Sequence, residues 1–408
     1  MKSIFIIIDG LGDLACKELK GKTPLESAKK PNLNYLASHG KLGYVYPINE
    51  TTAPESDTAI LALLGNKFFS SYRGYLEALG SNLKIDRGDL AFRVNFATID
   101  NLQNKKVIDR RAGRTLTSKE ARKLADAINK NVKLPCKFIF KNTIQHRGIL
   151  VLKGGFSDNI TNTDSAYHTP GTAKLNDKFK FSIPLDEDTN TKYTANILNE
   201  FIEQSHRILE NHEVNKKRKK RKLLPANIIL TRDASNGIEL KKFENWAGIA
   251  YMPLEIGICR TSWMKVYSFK YPEMKKSVYE NLFDGLSRAI EFSIKTLKKA
   301  KEENFYIHFK ETDVPGHDGK PFAKKKMIEL LDGKFFSFLK KFAEKEKIKI
   351  IVTGDHSTPC SLKSHSSDAL PLLFCDWQEQ EKKEFSEKES KKGKLGKLYG
   401  NEVLGLID

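Results

Sequence analysis

The chain has 408 residues, 39% hydrophobic and 30% charged, which is the composition of a folded protein and not of a disordered one, with room for two or three domains or one large core with an insertion. Its 70 basic and 51 acidic side chains leave a formal charge of +19, an excess that suits an anionic partner. No apolar run approaches a membrane span, and Asp9 interrupts the opening apolar run too early for a secretory signal, so a cytoplasmic protein is expected. Five scattered cysteines (Cys16, Cys136, Cys259, Cys360 and Cys375) contain no CxxC pair, which speaks against both a disulfide framework and a thiolate zinc site.

In chain order, residues 3–8 form a continuous apolar, β-branched run, as expected of a central parallel strand, and it delivers Asp9 among glycines at its C-terminal end. Thr23-Pro24-Leu25-Glu26 reads as a capped helix start, and a second helix should cover residues 32–38. The loop 52–58 enters a short apolar helix closed by Gly65. Ser56 at that entry has two readings: an N-cap, or a nucleophile whose phosphate is stabilised by free N–H groups.

From residue 72 to 114 the chain is dense in arginine: Arg73, Arg87, Arg93, Arg110, Arg111 and Arg114. Their planar guanidinium forks suit phosphate and carboxylate better than lysine does. Residues 90–96 alternate like a strand, with Arg93 and Asn95 on one face. A capping box at Thr117 starts a helix running to about Asn131, strands follow at 137–140 and 148–152, and residues 164–171, with His168, form a loop. Together these suggest a small inserted α+β module. The run Lys216-Lys217-Arg218-Lys219-Lys220-Arg221-Lys222 lacks aromatic side chains for stacking on bases, and a solvated loop before a strand at 227–230 is its expected use. Residues 272–301 are helical in composition, and the strand 304–310 leads to Asp313 and His317. The apolar run 350–352 ends in Thr353-Gly354-Asp355-His356-Ser357, with His365 nine residues beyond His356. Alternating strands and helices predict an α/β, doubly wound, mostly parallel sheet.

In such a sheet the C-terminal strand ends share one edge, so Asp9, Asp313, His317, Asp355, His356 and His365 can converge. Three carboxylates and three imidazoles exceed one closed tetrahedral site. They fit two divalent ions about 4 Å apart, the arrangement that clamps attacking and leaving oxygens in phosphoryl transfer, with Ser56 as the nucleophile. Carboxylate and imidazole together suit manganese, zinc or similar ions.

The segments IIIDGLGD (6–13), KTPLESAKKPNL (22–33), PESDTAILALLG (54–65), RGYLEALG (73–80), GDLAFRVNFATID (88–100), DRRAGR (109–114), HRGILVL (146–152), DVPGHDG (313–319), GDHSTPC (354–360) and KSHSSDALP (363–371) stand in an order that resembles one family. It is the archaeal-type cofactor-independent phosphoglycerate mutases of the alkaline phosphatase superfamily. The resemblance implies an alkaline-phosphatase-like core in residues 1–108 and 181–408, with residues 109–180 as an inserted lid. It implies two divalent ions (Mn, Zn, Mg or Co) and no bisphosphoglycerate primer. Asp313, His317 and His365 would hold one ion, and Asp9, Ser56, Asp355 and His356 the other. Ser56 would carry the phosphoryl group between the 3- and 2-hydroxyls of glycerate. Arg73, Arg93, Arg110, Arg114, Arg147 and Lys310 would bind substrate, and Asp109 or His146 would move protons. Two departures stand out: Glu55 replaces a glycine before the nucleophile, and residues 71–75, beginning at Ser71, are less glycine-rich than in the family. The alternatives are a metal-dependent phosphatase or another phosphomutase of the same superfamily, and, in a different class, a nucleic-acid-binding protein on a silent scaffold. No Walker-type loop supports a nucleotide kinase.

Overall fold

The computed structural model describes residues 2–67, 72–167, 178–272 and 277–407; Ser71, His168 and part of the 109–180 segment fall outside them. The chain divides into two compact units, one of residues 1–69 and 240–408, the other of residues 70–239. No described helix is long and apolar enough to cross a membrane.

In the first unit, Ser3–Ile8 is buried at every position and lies between two parallel partners, Asn304–Phe309 and Lys349–Thr353. The described residues extend this into an eight-stranded sheet. Trp246–Ile249 and Lys265–Tyr267 continue it in parallel on one side, while Leu370–Cys375 runs antiparallel on the other. In-register pairing of Ile8 with Phe309 and of Ile7 with Thr353 brings three strands to their C-terminal ends together. That register is what converts residues over 340 positions apart into one cluster. The capping box at Thr23 forms as expected, with reciprocal bonds of 3.0 Å between Thr23 and Glu26. The helix Pro31–Ser38 has a less local cap: buried Asp332, from a π-helical turn, accepts from Leu33 N at 2.8 Å and Asn32 N at 3.1 Å.

The second unit is wider than the 109–180 segment expected, because its antiparallel sheet recruits strands from both sides of that segment. Leu90–Ile99 pairs with Arg147–Leu152 and with Ile228–Ser235, and Phe138–Asn142 adds to Arg147–Leu152. A separate apolar core forms under Ser118–Asn131 and Thr189–Glu210. Residues 181–239 therefore belong with this unit and not with the larger sheet. The helix Arg73–Gly80 lies close on strand backbone: a β-carbon at Gly74 would stand 2.3 Å from Ala91 O and 2.4 Å from Asp233 O. Only glycine permits that approach.

The basic run is not a solvated loop. His212 caps a helix, Glu213–Lys220, in which six of the seven cations of residues 216–222 are exposed or continue exposed beyond its end, while Arg218 is fully buried.

Candidate metal centre and arginine cluster

The first unit assembles every expected ligand residue at the sheet edge. Gly10 turns the chain after Asp9 with φ +60° and donates its N–H to Asp355 Oδ1 at 3.0 Å. A β-carbon there would meet Thr358 Oγ1 at 2.8 Å and the Asp313 backbone at 2.9 Å, so glycine is required for space as well as for conformation. Asp313 and His317 lie on the short helix Asp313–His317 that follows Asn304–Phe309, one turn apart on the same face.

The three imidazoles share one orientation. His365 Nδ1 bonds Pro54 O at 2.9 Å and His317 Nδ1 bonds Lys363 O at 3.1 Å; a carbonyl only accepts, so both Nδ1 atoms carry the proton. Thr358 Oγ1 donates its one proton to Asp313 Oδ1 at 2.8 Å and must therefore accept from His356 Nδ1 at 2.9 Å. With Nδ1 so engaged, the Nε2 of each ring faces carboxylates: His317 Nε2 is 3.4 Å from Asp313 Oδ2, His365 Nε2 3.7 Å from Asp313 Oδ1, and His356 Nε2 3.2 Å from Asp9 Oδ1. Imidazoles fixed through Nδ1 leave Nε2 as the atom that faces a metal, the usual form of a histidine ligand.

Ligand atoms of Asp313, His317 and His365 lie within 4.8 Å of one another, as do those of Asp9, Asp313 and His356. Asp9 and Asp355 form a third such group with His308, a residue that sequence reasoning did not single out. Among the described residues, buried Asp9 Oδ1, Asp355 Oδ2 and His308 Nε2 have no hydrogen-bond partner. Oxygen and imidazole donors of this kind fit hard to borderline divalent ions. The electrostatics agree. Burial opposes charge on His356, yet Asp355 and Asp9 outweigh it and push its pKa up to about 9. Burial and the neighbouring Asp9 raise Asp355, whereas burial and His356 push His365 down to about 4.

Ser56 opens the helix Ser56–Leu63, but Glu55 occupies the N-cap position. The Ser56 hydroxyl is instead buried against His356 Nε2, at 3.1 Å. The capping alternative for Ser56 is thereby removed. Glu55 Oε1 reaches 4.0 Å from His365 Nδ1 and adds negative charge at the rim.

Lys310, expected among the substrate arginines, sits in this unit and pairs with Asp9 Oδ2 and, at 2.9 Å, with Glu255 Oε1. It follows the strand Asn304–Phe309 directly, so the same strand end that brings Asp313 brings Lys310 to Asp9. Beneath the ligands, wholly buried Lys324 Nζ donates to Gly12 O at 3.0 Å, Thr358 O at 3.0 Å and Asp13 Oδ2 at 2.8 Å. The nearby group Asp13, Cys16 and Cys360 thus already holds a cation, supplied by the chain itself.

The second unit gathers the arginines. Buried Glu77 Oε1 lies 2.7 Å from Arg73 Nε and 3.4 Å from Arg93 Nε. Arg93 stands directly across the sheet from Arg232, another residue not anticipated, and Arg147 lies opposite Asn95 on the neighbouring strand. Burial opposes ionisation of Glu77, but Arg93, Arg73 and Arg147 outweigh it and hold the carboxyl at about 2. Arg232 Nε also lies 3.7 Å from Asp233 Oδ2; like charges facing across a sheet, as Arg93 and Arg232 do, favour an anion that joins them. His146 is pushed down to about 2 by burial and by Arg147, Arg111, Arg93 and Arg114, so it is a neutral imidazole here. Asp109 Oδ1 accepts from Arg111 N at 2.7 Å and Gly113 N at 2.9 Å, which makes it the anchor of the following turn. Arg110 Nε is held by Asp164 Oδ1 at 2.8 Å.

Residues 37–215 match the family described as 2,3-bisphosphoglycerate-independent phosphoglycerate mutase, and residues 284–406 match the metalloenzyme superfamily. The chain is similar over its whole length to proteins of the former description. It is 40% identical to one from Thermococcus gammatolerans and 38% identical to one from Pyrococcus furiosus, in each case across 100% of this chain and 96% of the relative. Among solved structures, the PH0037 protein from Pyrococcus horikoshii superposes with a TM-score of 0.77 at 30% identity, covering 100% of this chain and 97% of that one. The cofactor-independent phosphoglycerate mutase from Thermoplasma acidophilum gives a TM-score of 0.61 at 31% identity, covering 100% and 99%.

Proposed function

The chain belongs to the archaeal-type 2,3-bisphosphoglycerate-independent phosphoglycerate mutases, and from that premise we propose how its own residues interconvert 3- and 2-phosphoglycerate. The enzyme is a metal-dependent isomerase that needs no bisphosphoglycerate primer. Asp313, His317 and His365 would hold one divalent ion, and Asp9, Ser56, Asp355 and His356 a second, with His308 beside the shared carboxylates. Bound there, such ions would lower the proton affinity of the Ser56 hydroxyl and offset negative charge on the phosphoryl group in transfer.

Ser56 Oγ attacks phosphorus, and the ester oxygen of 3-phosphoglycerate leaves with glycerate. Phosphoserine then returns the phosphoryl group to the 2-hydroxyl. Helix N–H groups at Ser56–Leu63 favour the anion on that oxygen. Lys310, tied to Asp9 and Glu255, places a fixed positive charge beside the nucleophile's neighbours. Arg73, Arg93, Arg147 and Arg232 supply the guanidinium surface for the substrate's carboxylate and phosphate, with Arg110 and Arg114 from the adjoining turn. Neutral His146 is suited to accept or donate a hydrogen bond at a glycerate hydroxyl.

The observation that carries this reading is the buried Ser56 hydroxyl 3.1 Å from His356 Nε2, beside three imidazoles whose Nε2 atoms all face carboxylates. Its test is product analysis. Chelator-treated protein should lose turnover, and re-addition of manganese, zinc, magnesium or cobalt should restore formation of 2-phosphoglycerate from 3-phosphoglycerate without stoichiometric phosphate release. Full turnover after chelation, or phosphate as the only product, would contradict it.

A further inference from the structure

We infer that Arg218 is a positioning residue for substrate binding: its buried guanidinium holds residues 109–115 in the conformation that offers Arg110, Arg111 and Arg114 to the substrate. The inference rests on reading that turn as part of the substrate surface.

Arg218 is set apart from its neighbours by burial. Of the seven cations at 216–222, Lys216, Lys217, Lys219, Lys220, Arg221 and Lys222 are exposed, and Arg218 is 0% exposed. A guanidinium carries five N–H donors and is costly to bury unless all are satisfied. Here five contacts meet them. Nη2 donates to Ala112 O at 3.2 Å and Thr115 Oγ1 at 2.7 Å. Nη1 donates to Thr115 O and Glu120 Oε2, both at 3.2 Å, and Nε to Leu224 O at 2.9 Å. Three of the five end on the turn itself. Glu120 is at the same time the capping-box acceptor for Thr117 N, so the helix Ser118–Asn131 is fixed to the same guanidinium.

What those bonds hold is unusual backbone. Ala112, Gly113 and Arg114 have φ of +47°, +70° and +53° in succession, and two of the three are not glycine. Left-handed conformations at residues with a β-carbon persist only where their surroundings impose them. Asp109 secures the turn from its N-terminal side through the N–H groups of Arg111 and Gly113, and Arg218 secures it from beneath through the Ala112 carbonyl and Thr115. Arg111 and Arg114 lie close enough to His146 to depress its protonation, alongside Arg147 and Arg93, so the turn's cations join the sheet's. A buried ion pair adds little to stability over an apolar replacement, and in some proteins its use is to select one conformation. Lysine has no planar fork and cannot repeat these contacts.

The test uses the metal-loaded full chain and 3-phosphoglycerate. Arg218→Ala should raise KM by about 10- to 100-fold, with kcat within about threefold and metal content per chain unchanged. Guanidinium chloride, compared with sodium chloride at equal ionic strength, should lower that KM again by refilling the cavity. Thr115→Val, which removes the hydroxyl that accepts from Arg218 Nη2 at 2.7 Å and donates to Ala112 O at 3.3 Å, should raise KM by about threefold and, by a parental KM, overturns the inference even if Arg218→Ala does not fold. Lys217→Met and Lys219→Met should behave as the parent. Parental KM in a folded Arg218→Ala or in Thr115→Val would overturn the inference, as would an equal rise in Lys217→Met, which would point to bulk charge. Arg114→Met separates the two levels: if it leaves KM unchanged, the turn is not a substrate surface and the premise itself fails.

Discussion

Ser56→Ala will lower turnover of 3-phosphoglycerate by at least about 10⁴-fold, the scale seen when a nucleophile is deleted from an otherwise intact site. The fold should not follow it down. Glu55 is the N-cap of Ser56–Leu63, so the Ser56 hydroxyl secures no helix N–H, and alanine is a good residue at the first helical position. Stability should stay within about 0.5 kcal/mol of the parent, the usual range for a substitution that removes no cap and opens no large cavity. Thermal unfolding, metal content and turnover on the same preparation make the distinction. The parent, quenched with acid during turnover, should carry a phosphoryl group on Ser56, and the variant should carry none. A variant that still makes 2-phosphoglycerate would remove the phosphoserine route.

Glu77→Gln has the largest expected effect on stability. The substitution keeps size and an acceptor oxygen but leaves Arg73 and Arg93 facing a neutral amide in a buried setting, with Arg147 and Arg232 close by. Deleting one partner of a buried ion pair costs about 3–5 kcal/mol, because the other charge stays desolvated. The pH dependence carries the same sign. Glu77 ionises at about 2 in the fold against an ordinary 4.5, so its contribution is fully present above about pH 4.5 and is lost as the pH falls through about 2. The size of that contribution is on the order of 3 kcal/mol. Urea unfolding of parent and variant should therefore differ most at neutral pH and converge toward pH 2. Sulfate or phosphate should recover more stability in the variant than in the parent, since an anion can take over the missing charge. Equal stability at neutral pH would show that the arginines do not depend on Glu77.

The candidate ligands Asp9 and Asp355 were readable in the sequence because each follows closely on an apolar run that stops abruptly, and parallel strands have only one edge on which to stop. His308 escaped that logic. It lies inside Asn304–Phe309, two residues after Tyr306, whose hydroxyl bonds its Nδ1 at 2.8 Å, and no Gly or Pro marks it. Lys310 was recognisable as functional but not as a partner of Asp9, because that depends on the register between two strands some 300 residues apart. Arg232 is legible only once Ile228–Ser235 is known to pair with Leu90–Ile99. The same holds for Arg218: seven like charges in a row look alike until Ala112 and Thr115, over 100 residues earlier, show which one is covered. The boundaries of the second unit were too narrow for the same reason, since cross-strand pairing leaves no trace in local composition. Periodicity reports which face of an element is buried, not what buries it.

Lys324 bears on how the proposed centre would take up a divalent ion. Its ammonium spends all three protons on Gly12, Asp13 and Thr358, and so ties the turn that bears Asp9 to the turn that bears Asp355 and His356. The entropy of ordering those turns is thus met by a cation that cannot diffuse away, before any divalent ion arrives. The centre should behave as a rigid socket, filled and emptied at rates set by ion dehydration and access, and not as a clasp that must refold around each new ion.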